Sequence, residues 1–187
     1  LRPRRQRRPS LKPLLLLLGG STGVGKTSVA IEVARRLEIA RVIGTDSIRQ
    51  IMRLMFSREL MPEIYGSTFD AYLERGVDAQ GGDPAIAAFR GQAQKIAVGV
   101  RALLDRAVEE STSMLIEGAN LLPSALDLDR YRDGAHVIFL IVGTLDAEAY
   151  RDRFRSRAAR EHNRDAARYL AHMREILSIQ EHLLAEA

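Results

Sequence analysis

The chain has 187 residues and no cysteine, which suits one compact domain and excludes disulfides and thiolate metal sites. Its formal net charge is +4, but six basic residues precede the first apolar run and leave the remainder slightly acidic. The composition therefore argues against a basic, nucleic-acid-binding body. We predict a solvated basic tail over residues 1–12, with binding to nucleic acid or an anionic surface as its alternative role, and one domain over residues 13–187.

Residues 14–18 form an unbroken run of leucine, followed at once by two glycines. The run is too short for a signal-peptide core of ~7–15 residues, and far too short for a membrane span of ~20 residues. It is typical of the central strand of a parallel sheet, because both faces of such a strand are covered. We therefore predict a buried strand, no membrane partner and a cytoplasmic location.

The next segment has the spacing G-x-x-x-x-G-K-T over residues 20–27 and continues into a helix predicted over residues 25–37. This is the P-loop pattern, in which backbone N–H groups and a helix N-terminus bind phosphates. Lys26 is expected to contact the β- and γ-phosphates of ATP in catalysis, and Thr27 to bind Mg²⁺. The predicted nucleotide-binding residues are Gly20, Ser21, Thr22, Gly23, Val24, Gly25, Lys26, Thr27 and Ser28.

A second strand is predicted over residues 41–44, and a second helix follows it. Apolar residues at helical spacing indicate which faces of the first two helices are buried. These residues are Val29, Val33, Ala34 and Leu37 in the first helix, and Ile48, Ile51, Met52 and Met55 in the second.

Asp46 follows the second strand, at the edge of the sheet where ligands bind in open α/β folds. A carboxylate there could accept the proton of an attacking hydroxyl group or hold Mg²⁺ through water. The structural alternative is a helix cap formed by Thr45 or Asp46. Arg49 and Arg53 lie on the same helix face and suit a substrate that carries phosphate or carboxylate. Asp46 is thus predicted to be catalytic and to bind metal or substrate, and Arg49 and Arg53 are predicted to bind substrate.

Glycines interrupt residues 62–84, which predicts an insert beside the acceptor with one short helix around residues 69–73. A long helix is predicted over residues 85–109, and the third strand over residues 114–116. Glu117 ends that strand, where P-loop enzymes place an acid associated with Mg²⁺. It is therefore predicted to bind metal or substrate, and it could exchange roles with Asp46; a cap or salt bridge is the alternative.

A last strand is predicted over residues 136–142, followed by helices over residues 146–157 and 166–185. Arginines are concentrated in the first of these helices, which is expected to close as a lid over residues 146–160. Guanidinium groups bind phosphate and neutralise charge in phosphoryl transfer. Arg153 and Arg157 are predicted to be catalytic, with Arg157 also contacting ATP; a solvated basic face is the alternative.

The alternation of strands and helices predicts a three-layer α/β/α fold with a central parallel sheet and right-handed crossovers. The chain lacks the Asn-Lys-x-Asp pattern of guanine-specific switches. Its size and its arginine-bearing helix favour a P-loop kinase of the nucleoside-monophosphate-kinase type. The alternative of another class is a nucleotide-dependent binding or regulatory module that acts through the basic tail.

Four blocks of the sequence resemble the 2-phosphoglycerate kinase family, and they keep their order and spacing along the chain. The blocks are GGSTGVGKT at residues 19–27, GTDSIR at 44–49, IEGANLLP at 116–123 and RYLAHM at 168–173. The resemblance implies transfer of the γ-phosphoryl group of ATP to 2-phosphoglycerate, which gives 2,3-bisphosphoglycerate.

The resemblance also assigns roles to individual residues. It makes Arg49 and Arg53 the anchors of an anionic acceptor. The family usually has His where Asn120 stands, but an asparagine still donates hydrogen bonds, and Asn120 is carried over as a substrate-binding residue. Another small hydroxyl acceptor, such as an antibiotic or a sugar acid, is the alternative within kinases.

Overall fold

The structure is a computed structural model that describes residues 12–75, 82–160 and 166–187. The strands are β1 (Leu14–Gly19), β2 (Arg41–Gly44), β3 (Met114–Gly118) and β4 (His136–Ile141). The helices are α1 (Lys26–Arg36), α2 (Thr45–Met55), α3 (Ala71–Arg75), α4 (Pro84–Glu109), α5 (Ala147–Arg160), α6 (Ala166–Ala171) and α7 (Met173–Glu186).

The four strands form one parallel sheet in the order β2-β3-β1-β4. Side chains alternate along β1, so Leu15 and Leu17 pack in the cluster that contains α4, while Leu16 and Leu18 pack against α1. Both faces of the strand are therefore covered, which is why an unbroken leucine run is stable there. The predicted central strand and the three-layer α/β/α fold are confirmed.

The predicted buried faces of the first two helices are partly wrong. In α1, the buried residues of the face toward the sheet include Ala30 and Ala34, whereas Leu37 is 50% exposed. In α2, Ile48 is buried but Met55 is 70% exposed. Helical spacing predicts an apolar face but does not fix how the helix is rotated about its axis. Contacts with the sheet and with α4 determine which residues of that face are buried.

The segment between α2 and α4 contains a 3₁₀ turn at Pro62–Ile64 and the short helix α3. The predicted short helix therefore exists but begins at Ala71, and in the turn before it Asp70 accepts a hydrogen bond from the backbone N–H of Ser67. Residues 76–81 of the predicted insert lie outside the described residues. The helix predicted over 166–185 is also interrupted: His172, with φ −106° and ψ 23°, separates α6 from α7.

The predicted tail and its role remain predictions, since residues 1–11 lie outside the described ranges. Lys12 donates a hydrogen bond to the carbonyl of Arg132 at 3.2 Å. Among the helices that the structure describes, none combines the length and the apolar composition needed to cross a membrane.

Candidate active site

The carboxyl ends of three neighbouring strands bring the predicted site residues together. In the register of the sheet, Glu117 of β3 lies opposite Leu18 of β1 on one side and Gly44 of β2 on the other. The P-loop begins directly after β1, and α2 begins directly after β2. Glu117 therefore stands between the loop and the first turn of α2, as expected for ligand sites in open parallel sheets.

A cavity of about 290 Å³ opens at this edge. Its size suits a small molecule or part of a nucleotide. Several predicted site residues, among them Arg53, Asn120 and Arg153, are not part of its lining. The lining consists of Thr22, Gly23, Lys26, Thr27, Thr45, Asp46, Arg49, Ser67, Thr68, Phe69, Glu117, Gly118, Ala119 and Tyr169.

The P-loop has the backbone conformation that its glycines permit. Gly23 has φ +90°, and a Cβ atom at that position would collide with the ring of Phe154. Lys26, in the first turn of α1, is only 8% exposed and donates a hydrogen bond to the carbonyl of Ser21 at 2.8 Å. The ammonium group is thus held inside the loop, beside the N-terminus of α1, where anions are favoured.

Thr27 and Glu117 both line the cavity and are joined by a hydrogen bond. The hydroxyl of Thr27 donates a hydrogen bond to Oε1 of Glu117 at 3.1 Å. Two oxygen atoms of the kind that Mg²⁺ prefers therefore converge from α1 and β3. The metal-binding roles of both residues stay predictions.

Asp46 lies in the first turn of α2 and is paired with Arg49. The N-cap of α2 is Gly44 and no side chain caps the helix, so the alternative in which Thr45 or Asp46 is the cap is wrong. Asp46 is 77% exposed, and its Oδ1 lies 2.9 Å from a guanidinium nitrogen of Arg49, which is 15% exposed. The carboxylate is consequently oriented but accessible, as a proton acceptor must be.

Arg53 binds backbone carbonyl groups instead of facing the cavity. It donates to the carbonyls of Ile64 and Tyr65 at 2.6 and 2.7 Å. Arg49 contributes a similar bond to the carbonyl of Gly66 at 2.9 Å. These bonds hold the segment that follows α2 against the helix that carries Asp46.

Asn120 is buried behind the cavity, where its side-chain N–H donates to Oε1 of Gln92 at 2.6 Å. Gln92, on α4, in turn donates to the carbonyls of Glu63 and Gly66. The described geometry thus gives Asn120 an indirect contact with the segment beside the cavity, through Gln92.

The insert supplies lining residues that were not predicted. Ser67, Thr68 and Phe69 line the cavity, and the hydroxyl of Thr68 lies 3.2 Å from that of Thr22 in the P-loop. The insert was predicted to lie beside the acceptor. Because glycines interrupt its sequence pattern, the pattern did not predict which of its residues would face the cavity. Tyr169 also lines the cavity, and its presence in one of the four blocks was the available signal.

An ion pair ties the insert to α6. The carboxylate of Asp70 is buried; it accepts the backbone N–H of Ser67 at 2.7 Å and hydrogen bonds from the guanidinium of Arg168. Phe69 packs edge-on to Tyr169, the neighbour of Arg168, with ring centroids 5.6 Å apart. Two distant parts of the chain are thereby joined at the rim of the cavity.

We expect Asp70→Asn to lower the free energy of unfolding by ~1–3 kcal/mol, because the buried Asp70 side chain loses the charge with which it accepts hydrogen bonds from the half-exposed Arg168 and from Ser67. Urea denaturation at neutral pH measures the change. Asp152→Asn, which removes an exposed pair with Arg155 on α5, is the matched control and should cost at most ~1 kcal/mol. Equal losses in the two variants would contradict a stabilising role for the Asp70 pair.

The arginine-bearing helix α5 lies against the P-loop. Arg153 donates a hydrogen bond to the carbonyl of Val24 at 3.1 Å. Its contact with the loop agrees with a location near the phosphates, and its catalytic role stays a prediction. The side chain of Arg157 lies outside the described residues.

Most of this chain is similar in amino-acid sequence to curated proteins. A 2-phosphoglycerate kinase of Pyrococcus furiosus is 43% identical over 94% of this chain and 56% of that protein. Proteins of the same name from Methanocaldococcus jannaschii and Thermococcus kodakarensis are 36% and 38% identical, over 94% and 93% of this chain and 56% and 58% of theirs. The chain therefore spans about half the length of the curated relatives it matches. No protein-family model matches it.

Solved structures align with this chain at low identity. A shikimate kinase of Acinetobacter baumannii in complex with shikimate is 15% identical, with a TM-score of 0.47 over 92% of this chain and 76% of that chain. The fold assignment rests instead on the strand order, the parallel pairing and the loop between β1 and α1.

Proposed function

We propose that the chain belongs to the 2-phosphoglycerate kinase family over the part of those proteins that it spans, and that it transfers the γ-phosphoryl group of ATP to the hydroxyl group on 2-phosphoglycerate. The observation that carries this proposal is a single cavity lined by Lys26, Asp46 and Arg49. A loop that holds phosphates, a proton acceptor and a cationic anchor are the parts that such a transfer requires.

The donor side is the P-loop. Its backbone N–H groups bind the ATP phosphates, and Lys26 exchanges its bond to the Ser21 carbonyl for the β- and γ-phosphate oxygens. The low exposure of Lys26 strengthens its interaction with charge that develops on those oxygens, because water screens it less.

Thr27 and Glu117 are the residues that fit Mg²⁺. Their oxygen atoms lie 3.1 Å apart at the cavity, and Mg²⁺ in kinases takes most of its ligands from water and phosphate, so few protein oxygens are needed. Asp46 lines the same cavity and could contribute through water. Held by Thr27 and Glu117, Mg²⁺ would neutralise charge on the phosphates of ATP.

The acceptor side is formed by Asp46 and Arg49. Asp46 accepts the proton of the attacking hydroxyl; a bond forms between that oxygen and the γ-phosphorus, and the bond to the β–γ bridging oxygen breaks, so that ADP leaves with its electron pair. Burial, and secondly the charge of Arg49, lower the pKa of Arg53. Arg49 itself lines the cavity, and its guanidinium group can bind phosphate or carboxylate through paired hydrogen bonds, which favours an acceptor that carries these groups.

The proposal is tested by incubating the protein with Mg²⁺-ATP and separate acceptors: 2-phosphoglycerate, 3-phosphoglycerate, glycerate and glycerol. We expect ADP and 2,3-bisphosphoglycerate in equal amounts from 2-phosphoglycerate. Arg49→Gln should weaken acceptor binding by about one to two orders of magnitude in KM, since one charge-assisted contact is lost, while the KM for ATP changes by less than about threefold. If glycerol is phosphorylated and 2-phosphoglycerate is not, the acceptor is wrong.

A further inference from the structure

A buried tyrosine of α5 contacts the phosphate-binding loop and has no part in the proposed mechanism. Tyr150 has 0% of its surface exposed. Its hydroxyl oxygen lies 2.6 Å from the hydroxyl oxygen of Ser21 and 2.5 Å from the carbonyl oxygen of Thr22. One phenol group therefore bonds two consecutive residues of the loop.

The directions of these two hydrogen bonds follow from the chemistry of the groups. A carbonyl oxygen only accepts, so Tyr150 donates its single proton to Thr22, and Ser21 must donate to Tyr150. Burial raises the pKa of Tyr150 to about 12, so its donor proton is retained at physiological pH. The hydroxyl of Ser21 is thus turned toward α5.

Ser21 is also the residue that holds the loop lysine. Its carbonyl accepts the hydrogen bond from the ammonium of Lys26 at 2.8 Å. Tyr150 fixes Ser21 through the side chain, and Lys26 is bound to the same residue through the backbone. The position of Ser21 therefore connects α5 to the charged group of the nucleotide site.

Neighbouring residues of α5 bind the rest of the loop. The ring of Phe154 fills the space beside Gly23, and Arg153 donates to the carbonyl of Val24. The rings of Tyr150 and Phe154 stack with centroids 5.3 Å apart. Four consecutive loop residues, 21–24, are thus in contact with one helix. A site that is ordered in advance binds more tightly, because less conformational freedom is lost on binding.

We propose that Tyr150 is a positioning residue for nucleotide binding, whose hydroxyl holds Ser21 and Thr22 in the conformation that presents the loop and Lys26 to the ATP phosphates. It acts through the loop and does not touch the reacting atoms. The inference rests on the proposed function, since it requires that the loop bind ATP.

Tyr150→Phe tests the inference because it keeps the ring and its stacking on Phe154 and removes only the hydroxyl. We expect the Kd and the KM for ATP to rise about tenfold, since the buried Thr22 carbonyl and Ser21 hydroxyl lose their partner. At saturating ATP the phosphates restore the position of Lys26, so kcat and the KM for the acceptor should change by less than about threefold. Calorimetric titration with ATP and steady-state kinetics give these values.

Tyr131→Phe is the matched control. Tyr131 is also buried, and its hydroxyl donates to Asp105 at 2.8 Å on the α4 side of the fold. We expect it to lower the melting temperature while the Kd for ATP stays at the wild-type value.

Two results would overturn the positioning role: wild-type affinity for ATP in Tyr150→Phe, or an equal loss of affinity in Tyr131→Phe, which would indicate general destabilisation. A wild-type protein that neither binds nor turns over ATP would instead overturn the proposed function, and this inference with it. The experiment therefore distinguishes failure of the positioning role from failure of the proposed function.

Discussion

Replacing Lys26 by alanine is expected to lower kcat by about 10²–10³-fold, the loss typical when one preorganised group that stabilises transition-state charge is removed. Lys26 is 8% exposed and its ammonium donates to the Ser21 carbonyl inside the loop, so water replaces it poorly. The KM for ATP should rise less than kcat falls, because the backbone N–H groups still bind the phosphates. ADP release at saturating ATP and 2-phosphoglycerate measures the effect.

Lys12→Ala is the matched control for this prediction. It removes the same charge from an exposed position, where the ammonium contacts only the carbonyl of Arg132 among the bonds described. Its activity should stay within about twofold of wild type, as expected for an exposed surface charge. Activity of a folded Lys26→Ala protein within tenfold of wild type would contradict the role given to the loop lysine.

Asp46→Asn is expected to lower the rate of the chemical step by about 10²–10⁴-fold, the usual contribution of a positioned general base. The amide keeps the size of the side chain and can still accept a hydrogen bond from Arg49, but it cannot take the proton of the acceptor hydroxyl. Single-turnover experiments with saturating ATP and acceptor isolate this step from substrate binding.

The control for Asp46→Asn is Asp129→Asn, because Asp129 also pairs with an arginine three residues later and is similarly exposed. It should be indistinguishable from wild type in activity. A variant of Asp46 that alters the Mg²⁺ or ATP dependence but keeps the single-turnover rate would make Asp46 a metal-associated residue, and Glu117 would then be the candidate base.

The sequence was sufficient to predict the part of the site that is built from consecutive residues. The loop lies between a strand and a helix that both carry local signals, so its position followed from spacing alone. Asp46 and Glu117 were predictable for a different reason: each follows or ends a strand, and the ends of parallel strands meet at one edge of the sheet.

The hydrogen-bond partners of a long polar side chain were not predictable in the same way. Arg53 is on the same helix face as Asp46 and Arg49, yet it binds the carbonyls of Ile64 and Tyr65. That outcome depends on the path of the insert, for which helical spacing contains no information. Asn120 was assigned from the family resemblance, although Gln92 of α4, distant in sequence, determines where its amide is bound.

Tyr150 shows a further limit of the sequence. The arginines of α5 were predicted to act in the site because phosphate chemistry requires cations. A lone tyrosine in the same helix is instead typical of a core residue. It is indeed buried, but its hydroxyl is directed at the loop. Only the three-dimensional arrangement distinguishes a core aromatic residue from one that also orders a binding site.

The attachment of the insert has a consequence for how this protein can change over evolutionary time. Arg49, Arg53 and Gln92 all bind backbone oxygen atoms of residues 63–66, and a backbone oxygen is present whatever the side chain. The adjoining Ser67 and Thr68 face the cavity, on a segment whose path is set by its neighbours. Substitutions of Ser67 or Thr68 can therefore alter which proposed acceptor the cavity accommodates. The backbone hydrogen bonds of residues 63–66 stay the same, so acceptor selectivity can change while the position of the segment does not.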